Sequence, residues 1–327
     1  MTKNKSILLT GATGFVGDRV IQQISSLVEY QIIAPVRSKC QAPDNVKQAI
    51  VSGIEATTDW SSLFDSVNLV IHCAARVHVM NELSGDPLAD FREVNRFGTL
   101  NLAKQAAEAG VKRFIFISSI KVNGETTTDK SVFKPSDKRC PEDPYGISKS
   151  EAEIGLQKIA KDTGMEVVII RPPLVYGPGV KANFLNLLKL SATKLPLPFG
   201  SINNKRSMVY IDNLVDLIVT CIDHPHAGNK VFLASDGDDL SLSRLLRLMR
   251  KSMNKPAWLI SVPALMFELL GKLIGKSAVV DRLIGDLQVD SSDTQTHLDW
   301  TPPYSVEQGI QATVDDFLLA HKQNSNK

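Results

Sequence analysis

The sequence carries no charge excess, no close cysteine pair and no unbroken apolar run of membrane length. Its 37 Lys and Arg against 35 Asp and Glu leave a net charge of +2 over 327 residues. Without a basic surplus nothing points to nucleic acid, although ligands of nucleotide size stay open. Cys40, Cys73, Cys140 and Cys221 lie far apart and form no Cys-x-x-Cys pair. Reduced thiols in a cytoplasmic protein are the simplest reading, and no metal set is expected. The most apolar late stretch, 262–280, is broken by Glu268, Lys272 and Lys276. It therefore predicts an amphipathic helix rather than a stable membrane insertion. A strand is entered by Ile7, which leaves no room for a signal peptide. Internal repeats are missing, and the only polar tail is 322–327.

What is present is a 43% hydrophobic chain, enough for one large α/β domain with a lobe or for two small domains. The run Ile7-Leu8-Leu9 reads as a buried strand. It leads into Thr10-Gly11-Ala12-Thr13-Gly14-Phe15-Val16-Gly17, after which Val20, Ile21, Ile24, Leu27 and Val28 recur at helical spacing. Glycines in a strand-to-helix turn let backbone N–H groups at a helix N-terminus hold a phosphate. Gly11 permits the turn, Gly14 lets a pyrophosphate approach, and Gly17 lets helix and strand pack. The alternative is a Gly-rich turn of some other α/β protein.

Tyr30-Gln31-Ile32-Ile33-Ala34-Pro35-Val36 is a second strand. A dinucleotide fold reads the ribose at the end of this strand, with an acid for a 2′-OH or a base for a 2′-phosphate. No acid occurs between Gln31 and Pro43; Arg37 stands there instead, with Lys39 after it. Arg37 leans toward NADP or dual use, with a solvated loop charge as the alternative. A third strand is expected at 46–51, and a short helix follows Asp59 as its cap. The run 67–75 is another apolar strand, ending in Ala74 and Ala75, small enough for a cofactor to lie on the backbone. His72 within it is expected to be a core histidine bonded to backbone. Residues 76–85 read as a loop, and a long helix over 87–109 stops at Gly110.

The strand at 111–119 ends in Ser118 and Ser119. Pro144 opens the next helix, whose first turns are suited by Glu151 and Glu153, and Gly164 closes it. One more strand, 165–171, is broken by Pro172-Pro173. This alternation predicts a parallel, doubly wound α/β sheet. Beyond 173 the pattern turns irregular: Asp212 is a candidate cap for a helix to Asp223, 231–234 a strand, and Ser241 the cap of a helix over 242–249. That remainder reads as a smaller lobe over the sheet.

Tyr145 and Lys149 stand at i and i+4, on one helix face. A phenol near pKa ~10 is a poor base at neutral pH, and a neighbouring ammonium favours its phenolate. With Ser119 holding the reacting oxygen, the set can move a proton while a nicotinamide moves a hydride. Chance decoration of a helix is the competing reading of the pair.

At these residues the chain resembles the extended short-chain dehydrogenases/reductases, nearest to their epimerase/dehydratase branch on nucleotide sugars. The likeness is carried by Gly11-x-x-Gly14-x-x-Gly17, Val70-Ile71-His72-Cys73-Ala74-Ala75, Ser118-Ser119, Tyr145-x-x-x-Lys149 and Arg171-Pro172. Arg206 before Val209-Tyr210-Ile211-Asp212, and Gly285-Asp286-Leu287, extend it. The resemblance implies a Rossmann-type sheet over 1–172, with a return segment near 207–235, and a C-terminal substrate-binding lobe over 173–327. It implies Ser119, Tyr145 and Lys149 as catalytic residues. A cofactor, NAD or NADP, would lie on Gly11, Thr13, Gly14, Phe15, Val16, Gly17, Arg37, Ala74, Ala75, Tyr145, Lys149 and Pro172. Arg206, and more weakly Arg282, would meet the diphosphate of a UDP-sugar, with Asn183 and Phe199 lining the nucleotide pocket. Asn95 resembles a structural position. Asn123 stands where the family usually has a tyrosine. Ile120 and Lys121 replace the Asp-Glu pair that sugar 4,6-dehydratases use, which argues against dehydration. A UDP-sugar 4-epimerase of polysaccharide synthesis and an NADPH-dependent 4-keto reductase remain, with a non-catalytic NAD(P) sensor as a third class. The stretch 74–80 resembles enzymes labelled either way, and the resemblance implies a homodimer.

Overall fold

Alternation within the strands already dictates a two-sided sheet. In the computed structural model, which describes residues 5–27, 29–77, 85–273, 275 and 277–325, Ile7 and Leu9 of β1 (Lys5–Thr10) face one apolar core and Leu8 the other. The same split divides β2 (Tyr30–Val36), β4 (Val67–His72), β5 (Arg113–Ile117) and β6 (Glu166–Arg171). Strands buried on both faces need continuous Val, Ile and Leu, and that requires helices on both sides. With β3 (Val46–Ile50) and β9 (Val231–Leu233), the sheet has seven strands in the order β3-β2-β1-β4-β5-β6-β9. Every pairing in it is parallel. The order reverses direction between β1 and β4, and ligands of such sheets bind outside the carboxyl ends of the strands at that point.

The first core takes α1 (Phe15–Ile24) and α6 (Ile211–Asp223). The second takes α3 (Thr99–Glu108) and α4 (Pro144–Thr163). The long helix expected over 87–109 is not uniform. It runs as α2 (Pro87–Arg92), opens into a π-helical segment at Glu93–Gly98, and continues as α3. Gly98 sits where an added Cβ would fall 2.4 Å from Ile54 O, so helix and loop touch backbone to backbone.

A second small sheet pairs β7 (Leu174–Tyr176) with β8 (Met208–Tyr210) in parallel. Around it lie α5 (Ala182–Ala192), α7 (Leu242–Ser252), α8 (Ala264–Leu273), α9 (Ser277–Ile284), α10 (Ser292–Leu298) and α11 (Val306–Ser325). Ser241 caps α7 as expected, accepting from Arg244 N–H at 3.1 Å. Asp212 does not cap α6. Tyr210 holds that position, and the Asp212 carboxylate pairs instead with Arg19 of α1, joining two helices on one face. Glu151 and Glu153 fall beyond the first turn of α4. The stretch 262–280 forms two helices rather than one. Val28, the His78-Val79-Met80 part of the resemblance and most of the 76–85 loop, Lys276, and the last residues of the tail lie outside the described residues.

Candidate active site

The glycine turn joins β1 to α1 at the reversal of strand order. Gly11 has φ +75°, and a Cβ there would lie 2.6 Å from Ala74 N, so the turn presses on the end of β4. A Cβ on Gly17 would lie 2.1 Å from Gly11 O, which fixes how closely the helix sits on the turn. Gly14 is different. It is exposed, its hypothetical Cβ meets only Gly11 O at 3.1 Å, and it stands at the N-cap of α1 without a capping side chain. The first N–H groups of a helix have no intrahelical acceptor, so this end is a cradle for an anion. Thr13 is exposed beside it, and Phe15 and Val16 are half-buried. Ala74 and Ala75, also half-buried, follow directly on β4. Arg37 is exposed at the carboxyl end of β2.

The chemistry-bearing residues come from the next two elements along the sheet. Ser119 follows β5 in extended conformation, and its Oγ accepts from Lys121 N–H at 3.3 Å. Asp143 caps α4, accepting from Gly146 N–H at 2.7 Å, and Pro144 fills the first helical position. Tyr145 therefore sits in the first turn, with Lys149 one turn on. Lys149 is only 1% exposed. Its Nζ donates to Ile117 O at 2.8 Å and lies 4.3 Å from the centre of the Phe116 ring. Burial pushes the ammonium down to about 7, against smaller opposing effects of Cys73 and Glu153. Burial also raises the Tyr145 phenol above its ordinary value, and Asp143 adds to this. The lowered phenol expected from an adjacent ammonium is thus not what this structure shows. The Lys149 charge is directed at a carbonyl and a ring, and no hydrogen bond joins it to Tyr145 among the described residues. Pro172, buried after β6, accepts from Ile120 N–H at 3.0 Å and closes the floor.

Three polar networks hold this arrangement, and the sequence reading found only fragments of them. In the first, Asn95, inside the π-segment, accepts from Arg76 N–H at 2.8 Å. It donates to Arg76 O and Ser148 Oγ, both at 3.0 Å. One amide thus ties the loop after β4 to α4, and π-segments often mark such sites. In the second, Glu153 is fully buried and accepts from Ser118 Oγ at 2.6 Å and from Arg171 Nε at 2.9 Å. Arg171 donates to Asn123 Oδ1 at 2.9 Å, and Asn123 Nδ2 to Lys134 O at 2.9 Å. This is what the asparagine does in place of a tyrosine. In the third, Lys121 pairs with Asp143 and, at 3.1 Å, with Glu125. Glu125 in turn pairs with Arg282 at 3.1 Å. His72 is buried, as expected, but its partners are hydroxyls rather than backbone: Thr10 Oγ1 at 2.6 Å and Thr99 Oγ1 at 2.9 Å. Burial drives it down to about 3, so it stays neutral.

Arg206 and Arg282 come to one stretch of the chain beyond residue 173. Arg206 Nη1 donates to Gly285 O at 3.1 Å, and burial lowers its guanidinium, opposed by Asp286. The backbone of 285–290 is stitched to the loop after β5, Thr127 N–H to Asp286 O and Phe133 N–H to Gln288 O, each at 2.9 Å. Both arginines therefore border the loop that begins at Ser119. Phe199 is half-buried and stacks on Phe267 with centroids 5.3 Å apart. Asn183 is exposed at the start of α5, and no hydrogen bond brings it to the catalytic set among the described residues.

A glycine turn at the switch point, with a Tyr–Lys pair and a serine at the same edge, fits a dinucleotide-dependent enzyme. The chain belongs to the NAD dependent epimerase/dehydratase family, whose model matches residues 7–234. It is 52% identical over 320 residues to UDP-glucose 4-epimerase of Vibrio cholerae, covering 98% of this chain and 97% of that one. It is 29% identical to N-acetyl-alpha-D-glucosaminyl-diphospho-ditrans,octacis-undecaprenol 4-epimerase of Escherichia coli O157:H7, covering 98% of each. Among solved structures it resembles UDP-glucuronic acid 4-epimerase from Bacillus cereus in complex with NAD. The TM-score is 0.78 at 21% identity, covering 97% of this chain and 99% of that one.

Proposed function

We propose that this chain is an NAD-dependent 4-epimerase of UDP-hexoses or UDP-N-acetylhexosamines, serving surface-polysaccharide synthesis, with UDP-glucose the first substrate to test. The observation that carries the reading is the buried Lys149 one turn from Tyr145 on α4, its ammonium bonded to Ile117 O two residues before Ser119. When bound, NAD supplies a hydride acceptor and donor for C4. Ser119 Oγ holds the C4 oxygen. Tyr145 Oη would take the proton of the C4 hydroxyl and later return one to the C4 oxygen. Lys149 holds the ribose and, once its ammonium turns from Ile117 O, lowers the phenol. Arg206 and Arg282 grip the diphosphate, where a planar guanidinium suits two oxygens. Asn183 and Phe199 are assigned to the nucleotide end of the pocket. The part beyond 173 serves as the substrate lobe, and the protein works in the cytoplasm as a homodimer.

The test is inversion of UDP-glucose at C4 by purified protein, with the nucleotide released on denaturation identified. Tyr145→Phe is expected to lower kcat by about 10²- to 10⁴-fold while nucleotide binding is kept. Full activity in that variant sinks the assignment. Arg37, exposed where a ribose 2′-phosphate would sit, favours a second reading as an NADPH-dependent 4-keto reductase. Protein that releases no NAD and consumes NADPH in proportion to a 4-keto sugar would establish it instead.

A further inference from the structure

Helix α8 is inside out for a helix that meets only water. Leu265, Met266, Leu269, Leu270 and Leu273 share one face and are between 54% and 84% exposed. The opposite face holds its one acid: Glu268 is half-buried. Phe267 on that side stacks on Phe199, and a Cβ on Gly271 would fall 2.7 Å from Val280 of α9. A second pair of exposed apolar residues lies on the segment bonded to 197–200. Trp258 and Ile260 are 59% and 54% exposed, and Ile260 N–H and O bond Leu197 O and Gly200 N–H at 2.8 and 2.9 Å. Single exposed apolar residues are ordinary, but a contiguous row marks a surface that something covers.

We propose that the α8–α9 hairpin, with Trp258 at its rim, docks on an anionic lipid bilayer. Charge complementarity selects this occupant. Between 247 and 284 the sequence places Arg247, Lys251, Lys255, Lys272, Lys276 and Arg282 against Glu268 and Asp281, with Arg250 buried on backbone carbonyls, in a chain whose net charge is only +2. Lys272 is exposed within α8, and Lys251 is exposed at the end of α7. An apolar face flanked by lysines and an amphipathic indole suits the boundary between acyl chains and anionic headgroups. The hairpin lies on the bilayer and does not cross it: α8 has ten residues, and no helix among the described residues is long and apolar enough to span. A second copy is a poorer fit, because a two-fold contact here would set each basic cluster against its own image. The hairpin runs through α9 into Arg282 and Gly285, so the docked face borders the diphosphate-binding edge of the active site.

Flotation of the full chain with phosphatidylglycerol vesicles tests this, with phosphatidylcholine vesicles alongside. Tryptophan emission reports the contact, because Trp258 is exposed whereas Trp60 and Trp300 are 0% and 4% exposed. Binding to phosphatidylglycerol with a blue shift is expected, and high salt should weaken it. The double variant Leu269→Ser, Leu273→Ser, at exposed positions outside the site, should bind about tenfold more weakly or less while keeping turnover on UDP-glucose. Failure to float with either vesicle overturns the proposal, as does equal flotation of the variant. So does a wild-type oligomer that floats with neither vesicle and that the variant dissociates, for then a second copy covers the row.

Discussion

Replacing Lys149 with methionine should make the nucleotide-free fold more stable while removing turnover. The ammonium is 1% exposed and has no carboxylate partner at hydrogen-bond distance among the described residues; a carbonyl and a ring face serve instead. Burial takes it from 10.5 to about 7. At ~1.4 kcal/mol per unit, the unfolded chain's preference for the proton costs the fold about 4 kcal/mol near neutral pH. The bond to Ile117 O and the Phe116 contact are lost in the variant and return ~1–2 kcal/mol of that. A net gain of about 2 kcal/mol is expected, since methionine fills similar space without charge. The sign of the pH dependence follows. Between about 7 and 10.5 the unfolded wild type binds more protons than the folded protein, so wild-type stability rises with pH through that window. The advantage of the variant should therefore be full below about 7 and shrink as pH rises toward 10.5. Urea denaturation of nucleotide-stripped proteins across that range measures it. A variant that is less stable, or whose advantage does not change with pH, would refute the reasoning. It would mean that Lys149 is held by favourable contacts and not strained for a ligand.

Gly17→Ala should cost the fold about 3 kcal/mol or more, because its Cβ would sit 2.1 Å from Gly11 O with backbone on both sides. Gly14→Ala, whose Cβ has only one neighbour at 3.1 Å, should stay within about 1 kcal/mol of wild type by thermal melting. It should nevertheless bind NAD about tenfold more weakly by titration calorimetry, since the added methyl occupies the cradle. Glu153→Gln should destabilise by about 3–5 kcal/mol in denaturant melts, leaving the buried Arg171 without its carboxylate; an unchanged midpoint would mean that its remaining acceptors, Asn123 Oδ1 at 2.9 Å and Pro135 O at 3.4 Å, suffice. Arg206→Ala should raise the Kd for UDP about tenfold, ~1.4 kcal/mol, with NAD binding unchanged. Unaltered UDP affinity would remove Arg206 from the substrate site.

The sheet was legible because its information is local. Each inner strand is an apolar run between turn residues, and Tyr30–Val36 has the bounds read from sequence. The glycine turn was legible for the same reason: strand, three glycines and amphipathic helix lie within twenty consecutive positions. Helix ends were read less well where a side chain had a better use elsewhere. Asp212 has the composition of a cap, but Arg19 comes within reach only after α1 and α6 pack on one face. The π-segment at Glu93–Gly98 was invisible because its cause is tertiary: Gly98 against Ile54 O, and Asn95 drawn to Arg76 and Ser148.

The site divides along the same line. Tyr145 and Lys149 are found by spacing, since one helix places both. The groups that set their state are not. Ile117 O and Phe116 reach Lys149 from β5, and a spacing argument alone gave the wrong direction for Tyr145. Arg171 and Glu153 did leave a trace, because a charge closing a strand as apolar as Val167-Val168-Ile169-Ile170 must find a partner inside the protein. The ion-pair run Asp143–Lys121–Glu125–Arg282 left none, although it joins the cap of the tyrosine helix to a residue assigned to the diphosphate. Its consequence is physical. Any anion that drew Arg282 from Glu125 would leave that carboxylate to Lys121, which also pairs with Asp143, the cap of the helix on which Tyr145 stands.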